Sequence, residues 1–205
     1  ISSDRNLGAA GGLSFEGGTL QTTADFSTDR SAVLSTDGTV LTDDGTTFRF
    51  NGHISGAGEL RKEGGGRLEL NGGNSYIGGT LLSAGTVRIS SDKSLGATAG
   101  GLIFSGGILN TAADISTDRL VIMLAAGTVH TDGGTTFTLN GAISGTGALR
   151  KEGSGRLELA GDNSAFSGDT DIVDGILAIA DGLGSRLYIG AAGRLEGTGA
   201  VDSVT

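Results

Sequence analysis

Polar and apolar residues alternate in short runs along this chain. In Arg67-Leu68-Glu69-Leu70 and Thr86-Val87-Arg88-Ile89 every second residue is aliphatic and its neighbours are polar, the pattern of a strand with one face buried. No long stretch follows the 3.6-residue period of an amphipathic helix. On a longer scale the apolar positions form three columns. The first begins Leu13, Val33, Ile54, Tyr76, the second Leu20, Val40, Leu60, Leu81, and the third Phe26, Phe48, Leu68, Val87. Each column then recurs, as Leu102, Ile122, Ile143, Phe166, as Leu109, Val129, Leu149, Ile172, and as Ile115, Phe137, Leu157, Leu177.

The recurrence is a duplication. At an offset of 89 residues, Gly38–Leu70 aligns without a gap on Gly127–Leu159, with about 25 of 33 positions identical. The copies open Ile1-Ser2-Ser3-Asp4 and Ile89-Ser90-Ser91-Asp92, and a third begins near Ile179, so the repeats read as 1–88, 89–178 and 179–205. Three columns spaced by about 20 residues are what a three-faced solenoid requires, because each coil supplies three short strands that stack on their equivalents one coil later. The expected fold is all-β: a right-handed parallel β-helix of about nine coils of roughly 20–22 residues, four to a repeat, in a single segment spanning 1–205.

Composition supports this reading and narrows the chemistry. Of 205 residues, 40 are Gly and none is Pro or Cys. Gly at that density opposes helices, at a cost of about 1 kcal/mol each relative to Ala, and collagen is excluded by the missing Pro and triplet period. Asp37-Gly38, Asp44-Gly45 and Gly133-Gly134 read as coil corners. Pro is absent, as expected where every strand uses its N–H groups to pair with the coils on either side. The missing Cys excludes disulfides, zinc–thiolate sites and thiol catalysis. A net charge of −9, scattered along the chain, disfavours nucleic acid as a partner. No apolar run approaches the ~20 residues of a membrane span, so no membrane insertion by this segment is expected. The chain has neither an initiator Met nor a signal-peptide pattern, and is expected to be part of something longer, with open strand edges that associate end to end.

The best-preserved block is Gly56-x-Gly58-x-Leu60-x-Lys62-x-Gly64-x-Gly66-x-Leu68-x-Leu70-x-Gly72-x-Asn74-x-Tyr76-x-Gly78, followed by Thr80, Gly85, Val87 and Ile89. It recurs from Gly145 through Lys151, Asn163, Phe166, Thr170 and Gly175 to Ile179, with one extra residue before Phe166 that predicts a widened corner. The block resembles the passenger-associated transport repeat of bacterial autotransporters, the type V secretion proteins of Gram-negative bacteria. The resemblance implies a β-helical passenger exported across the outer membrane to the cell surface by its own C-terminal β-barrel outside this window. It also implies a stalk or adhesion scaffold that promotes passenger secretion and folding, with a host or neighbouring-cell surface molecule as partner. It carries over no catalytic residues.

Other candidate chemistry reads as structural. His53 and His130 fall at non-equivalent repeat positions and read as surface or turn residues. Asp29-Arg30 and Asp118-Arg119, repeated within Ser-Thr-Asp-Arg, read as solvated turns with surface ion pairs, since an active centre is normally built once. Lys62-Glu63 and Lys151-Glu152 receive the same reading. Gly64-Gly65-Gly66 and Gly153-Ser154-Gly155 lack the following helix of a phosphate loop, and neither a calcium β-roll nonapeptide nor an EF-hand spacing is present. Asn74 and Asn163 suit turns, and Thr46-Thr47 and Thr135-Thr136 recur too rarely for an ice-binding face. No catalytic, metal or cofactor residue is assigned and the segment is read as non-enzymatic. The alternative is the scaffold of an exported β-helical enzyme, polysaccharide-degrading or protease-bearing.

Overall fold

The computed structural model describes residues 1–9 and 11–204 as a parallel β-solenoid of about ten coils, interrupted by two 3-10 turns, Asp4–Leu7 and Asp92–Leu95. Every strand pairs in parallel with the strand one coil before or after it. The first face opens with Leu13–Phe15, Ala32–Leu34 and Ile54–Gly56. The second carries Thr19–Thr22, Gly38–Thr42, Leu60–Glu63, Thr80–Leu82, Leu102–Phe104, Val121–Met123 and Ile143–Gly145. The third runs from Phe26–Thr28 through Thr47–Phe50, Arg67–Leu70 and Thr86–Ile89 to Ile108–Thr111, Gly127–Thr131 and Leu149–Glu152.

Alternation decides which side chains enter the core. Phe48, Leu68, Val87, Leu109 and Val129 form one inward ladder on the third face, each 2% exposed or less. Most other column residues, among them Ile54, Leu60, Leu102, Phe137 and Leu157, are buried as well, but at three places the columns are out of phase with the structure. Ala32 and Leu34, Thr80 and Leu82, and Val121 and Met123 point inward, while Val33, Leu81 and Ile122 lie between them on the outer surface. Triplets such as Ala-Val-Leu and Val-Ile-Met are apolar at every position, so they do not state their own phase. Gly38 is not a corner. It opens an inward strand opposite Leu60, and a Cβ there would lie 2.6 Å from Leu34 Cδ2 and 2.7 Å from Phe15 Cγ. The Phe15 ring fills the space, which slides the register so that Val40 faces Lys62 rather than Leu60. Gly45 and Gly134 do turn corners, at φ of +74° and +78°.

The repeat is longer than four coils. From Leu13 to Leu102 the chain passes eleven strands, the stretch around Ser75 that stacks on Ile54–Gly56, and the 3-10 turn Asp92–Leu95, which stacks on residues 74–76. These thirteen segments, laid on three faces, make four and a third turns. Leu13–Phe15 therefore lies on the first face and its copy Leu102–Phe104 on the second. The second repeat is rotated by about 120° relative to the first.

Candidate functional site

Several polar residues of the repeated block, a lysine, an asparagine and a threonine in each copy, lie inside the rod. Leu60 points inward, so alternation carries Lys62 inward too, between Val40 and Leu82. Its side chain is fully buried, and Nζ donates to the carbonyls of Glu63 (2.6 Å), Gly64 (2.7 Å) and Ala84 (3.3 Å). Lys151 repeats this between Val129 and Ile172, donating to Glu152 (2.8 Å), Gly153 (2.6 Å) and Asp174 (3.1 Å). The solvated reading of both lysines is thus corrected. A Cβ on Gly85 or Gly175 would come within 2.8 or 2.9 Å of the ammonium, and both have positive φ, which explains the Gly held at that place in both copies. Burial pushes each Lys from its ordinary 10.5 down to about 8, against the pull of Asp44 and Glu63 on one and of Asp174 and Glu152 on the other.

The two asparagines replace ladder bonds where a strand is missing, on the first face in the first copy and on the second face in the second. Asn74 accepts the Ile54 N–H at 2.8 Å and donates to the Ser94 carbonyl at 2.6 Å, and Asn163 accepts the Ile143 N–H at 3.0 Å. The extra residue of the second copy is absorbed in the expected corner, where the Phe166 N–H closes a turn on Asn163 and the ring stays buried. Tyr76 is buried with its hydroxyl 2.7 Å from Thr80 Oγ1. In the second copy the ring is Phe166, and Ser185 supplies the missing partner to Thr170 at 2.8 Å. Tyr76→Phe, which leaves Thr80 unpaired without such a substitute, is expected to cost about 1–2 kcal/mol in urea unfolding.

The Asp-Arg pairs divide their roles. Asp29 and Asp118 accept from Asn51 and Asn140 on the outer surface, at 2.8 and 2.9 Å. Each Arg instead turns back to a 3-10 turn. Arg119 is fully buried, bonds Asp92 at 2.7 Å, and donates to the carbonyls of Asp92, Gly96, Ala97 and Gly100. Arg30 repeats the arrangement with Asp4, Gly8 and Gly11, but its side chain is 11% exposed. The expected surface ion pairs are therefore struts holding the segments between strands. Lys lacks the planar five-donor fork. Arg119→Lys is expected to cost about 2–3 kcal/mol and Arg30→Lys under about 1, compared by chemical denaturation; equal losses would contradict the burial difference.

Both histidines lie on the outer surface. His53 is exposed, with Nδ1 2.5 Å from the Gly73 carbonyl and Nε2 3.0 Å from Ser75 Oγ. His130 Nε2 lies 3.7 Å from Asp132. Burial raises the Asp132 carboxyl, but hydrogen bonds from Asn110 and Arg88 outweigh it and hold the group below the usual range. Thr46 and Thr135 hydroxyls close their own turns on Asp43 and Asp132. Among the described residues no group of three or more His, Asp or Glu side chains is arranged to hold a metal ion.

Residues 60–89 and 149–179, which carry the lysine, asparagine and aromatic of each copy, both match the Passenger-associated-transport-repeat family. The chain carries autotransporter passenger repeats. It is 45% identical over 164 residues, 77% of its length, to "Adhesin BmaC autotransporter" of Brucella suis biovar 1 (strain 1330). It is also 46% identical over 59 residues, 29% of its length, to "Extracellular serine protease" of Serratia marcescens. The chain spans only 5% of that adhesin and 6% of that protease. No solved structure matches it. Within these passenger repeats the buried Lys was the feature hidden from column counting, although the parity of Leu60-Arg61-Lys62 announces it.

Proposed function

We propose that this segment is a stiff, non-catalytic length of an exported adhesin passenger, which holds binding regions away from the bacterial surface and helps the passenger fold once outside. The supporting observation is that each stretch matching the transport repeat turns a lysine and an asparagine into the rod. Lys62, Lys151, Asn74 and Asn163 satisfy backbone groups of their own and adjoining coils rather than facing a ligand. Such coils fold on one another, so a stable run templates the next. The similarity to an adhesin favours a surface location and a role in attachment. The parent's own C-terminal barrel is the expected conveyor, and the surface molecule it meets belongs to the same proposal.

The test replaces this segment in its parent passenger with a flexible Gly-Ser linker of equal length and measures surface display and adhesion. Loss of display or of adhesion supports the proposal. Undiminished display and adhesion would overturn it. The similarity to a serine protease favours a second reading, a support for catalysis located elsewhere in the parent. Proteolytic activity of secreted parent passenger, abolished by a serine-directed inhibitor, would establish that reading.

A further inference from the structure

The duplication provides an internal control for the surface. Along Val121–Met123 the outward positions are Leu120, Ile122 and Leu124, and Leu120 and Leu124 are 62% and 63% exposed. One coil earlier the outward residue is Ile103, and one before that Leu81, in register with Ile122. The first copy has Ser31, Ser35 and Ser14 where the second has Leu120, Leu124 and Ile103. The scaffold therefore does not require these aliphatic side chains. They form an outward strip on the second face that the first repeat lacks.

We infer that this strip is a side-to-side contact for a second copy of the chain, packed face to face. The choice of occupant rests on charge and area. From Leu81 to Ser144 the outward column of the second face holds no charged residue, and it is bounded on one side by Glu59, Arg61 and Glu63. Other outward columns carry charges, such as Arg49, Glu69 and Arg88 on the third face, and the molecule has a net charge of −9. Two such acidic rods can approach without burying an unpaired charge only where both are uncharged. The strip is centred on Ile103, so a two-fold axis there lays Leu81 of each copy against Ile122 of the other, a self-complementary arrangement. Four coils at about 4.8 Å and about six residues at 3.3 Å give roughly 400 Å² per partner. That is half of the ~800 Å² typical of stable pairs, so the association is weak for one segment and grows when several act together. This inference goes beyond the stalk reading and does not depend on adhesion.

The test is sedimentation equilibrium of the segment up to millimolar concentration, wild type against the triple variant Ile103→Ser, Leu120→Ser, Leu124→Ser. The substituted residues are those the first copy carries, and circular dichroism confirms the fold. The triple variant is expected to associate at least about tenfold more weakly. Geometry is read by cross-linking, since the chain has no Cys. Ser105→Cys, whose strand end stacks beside Leu124, should form dimers with a short bis-maleimide, and the exposed Ser116→Cys on the first face should not. Association unchanged in the triple variant, or equal cross-linking at both positions, would indicate end-to-end contact and overturn the inference. Binding of the wild type to phosphatidylcholine vesicles without dimer formation would also overturn it, in favour of a lipid.

Discussion

Leu68→Asp is expected to lower the thermal midpoint of unfolding by about 10–20 °C, corresponding to a loss of about 4–5 kcal/mol or more. Leu68 is fully buried in the third-face ladder between Phe48 and Val87, and these apolar ladder neighbours offer a carboxylate no partner. Leu68→Ala, which removes volume without adding charge, should cost about 2–5 kcal/mol and separates the two effects. Because each coil is stabilised only by its neighbours, the damage should divide the rod. Hydrogen exchange is expected to accelerate most at Thr47–Phe50 and Thr86–Ile89, the strands paired with Arg67–Leu70, and least in the far coils. An unchanged midpoint would contradict the inward placement of Leu68.

Lys151→Met is the second large effect, expected at about 3–5 kcal/mol at neutral pH. Methionine fits the apolar ladder between Val129 and Ile172, so the loss isolates the carbonyls of Glu152, Gly153 and Asp174, which the ammonium alone bridges at one corner. The pH dependence has a defined sign. The unfolded chain keeps this proton to about 10.5 and the folded chain releases it near 8, so unfolding takes up protons between those values. The contribution of the lysine to stability should therefore rise from pH 8 to pH 10.5, and the wild type should pull further ahead of Lys151→Met across that window. Denaturant unfolding at several pH values checks both parts. A gap that stays constant would show that the folded state holds the proton as firmly as the unfolded one, and a gap that narrows with rising pH that it holds it more firmly.

Strand identity and stacking were legible in the chain because alternation at Arg67–Leu70 and Thr86–Ile89 has only one inward phase. Phase was lost where apolar residues run consecutively, as at Val33 and Ile122, and register was lost at Gly38, where an absent side chain is filled by Phe15 from another coil. The roles of Lys62 and Arg119 were obscured for another reason. Charge normally marks the solvent side of a strand, and only the carbonyls gathered at the next corner, or around the Asp92–Leu95 turn, make burial tolerable. The carbonyls around Arg119 come from Asp92, Gly96, Ala97 and Gly100, a full coil back in the chain, so no local pattern announces them; for Lys62 two of the three, Glu63 and Gly64, are its immediate neighbours, and the inward parity of Leu60 is the local signal. Counting residues also concealed the 3-10 turn as a segment in its own right, which is why four coils became four and a third.

That fractional turn shapes what an elongated array of such repeats shows to its surroundings. If further copies keep the same advance, a side chain present once per copy points in three directions in succession and returns to its first bearing only after three copies, or thirteen turns. Surface features then climb the rod like a stripe on a barber's pole. A long passenger built this way has no front or back, and whichever way it leans from the cell, one copy in three faces outward.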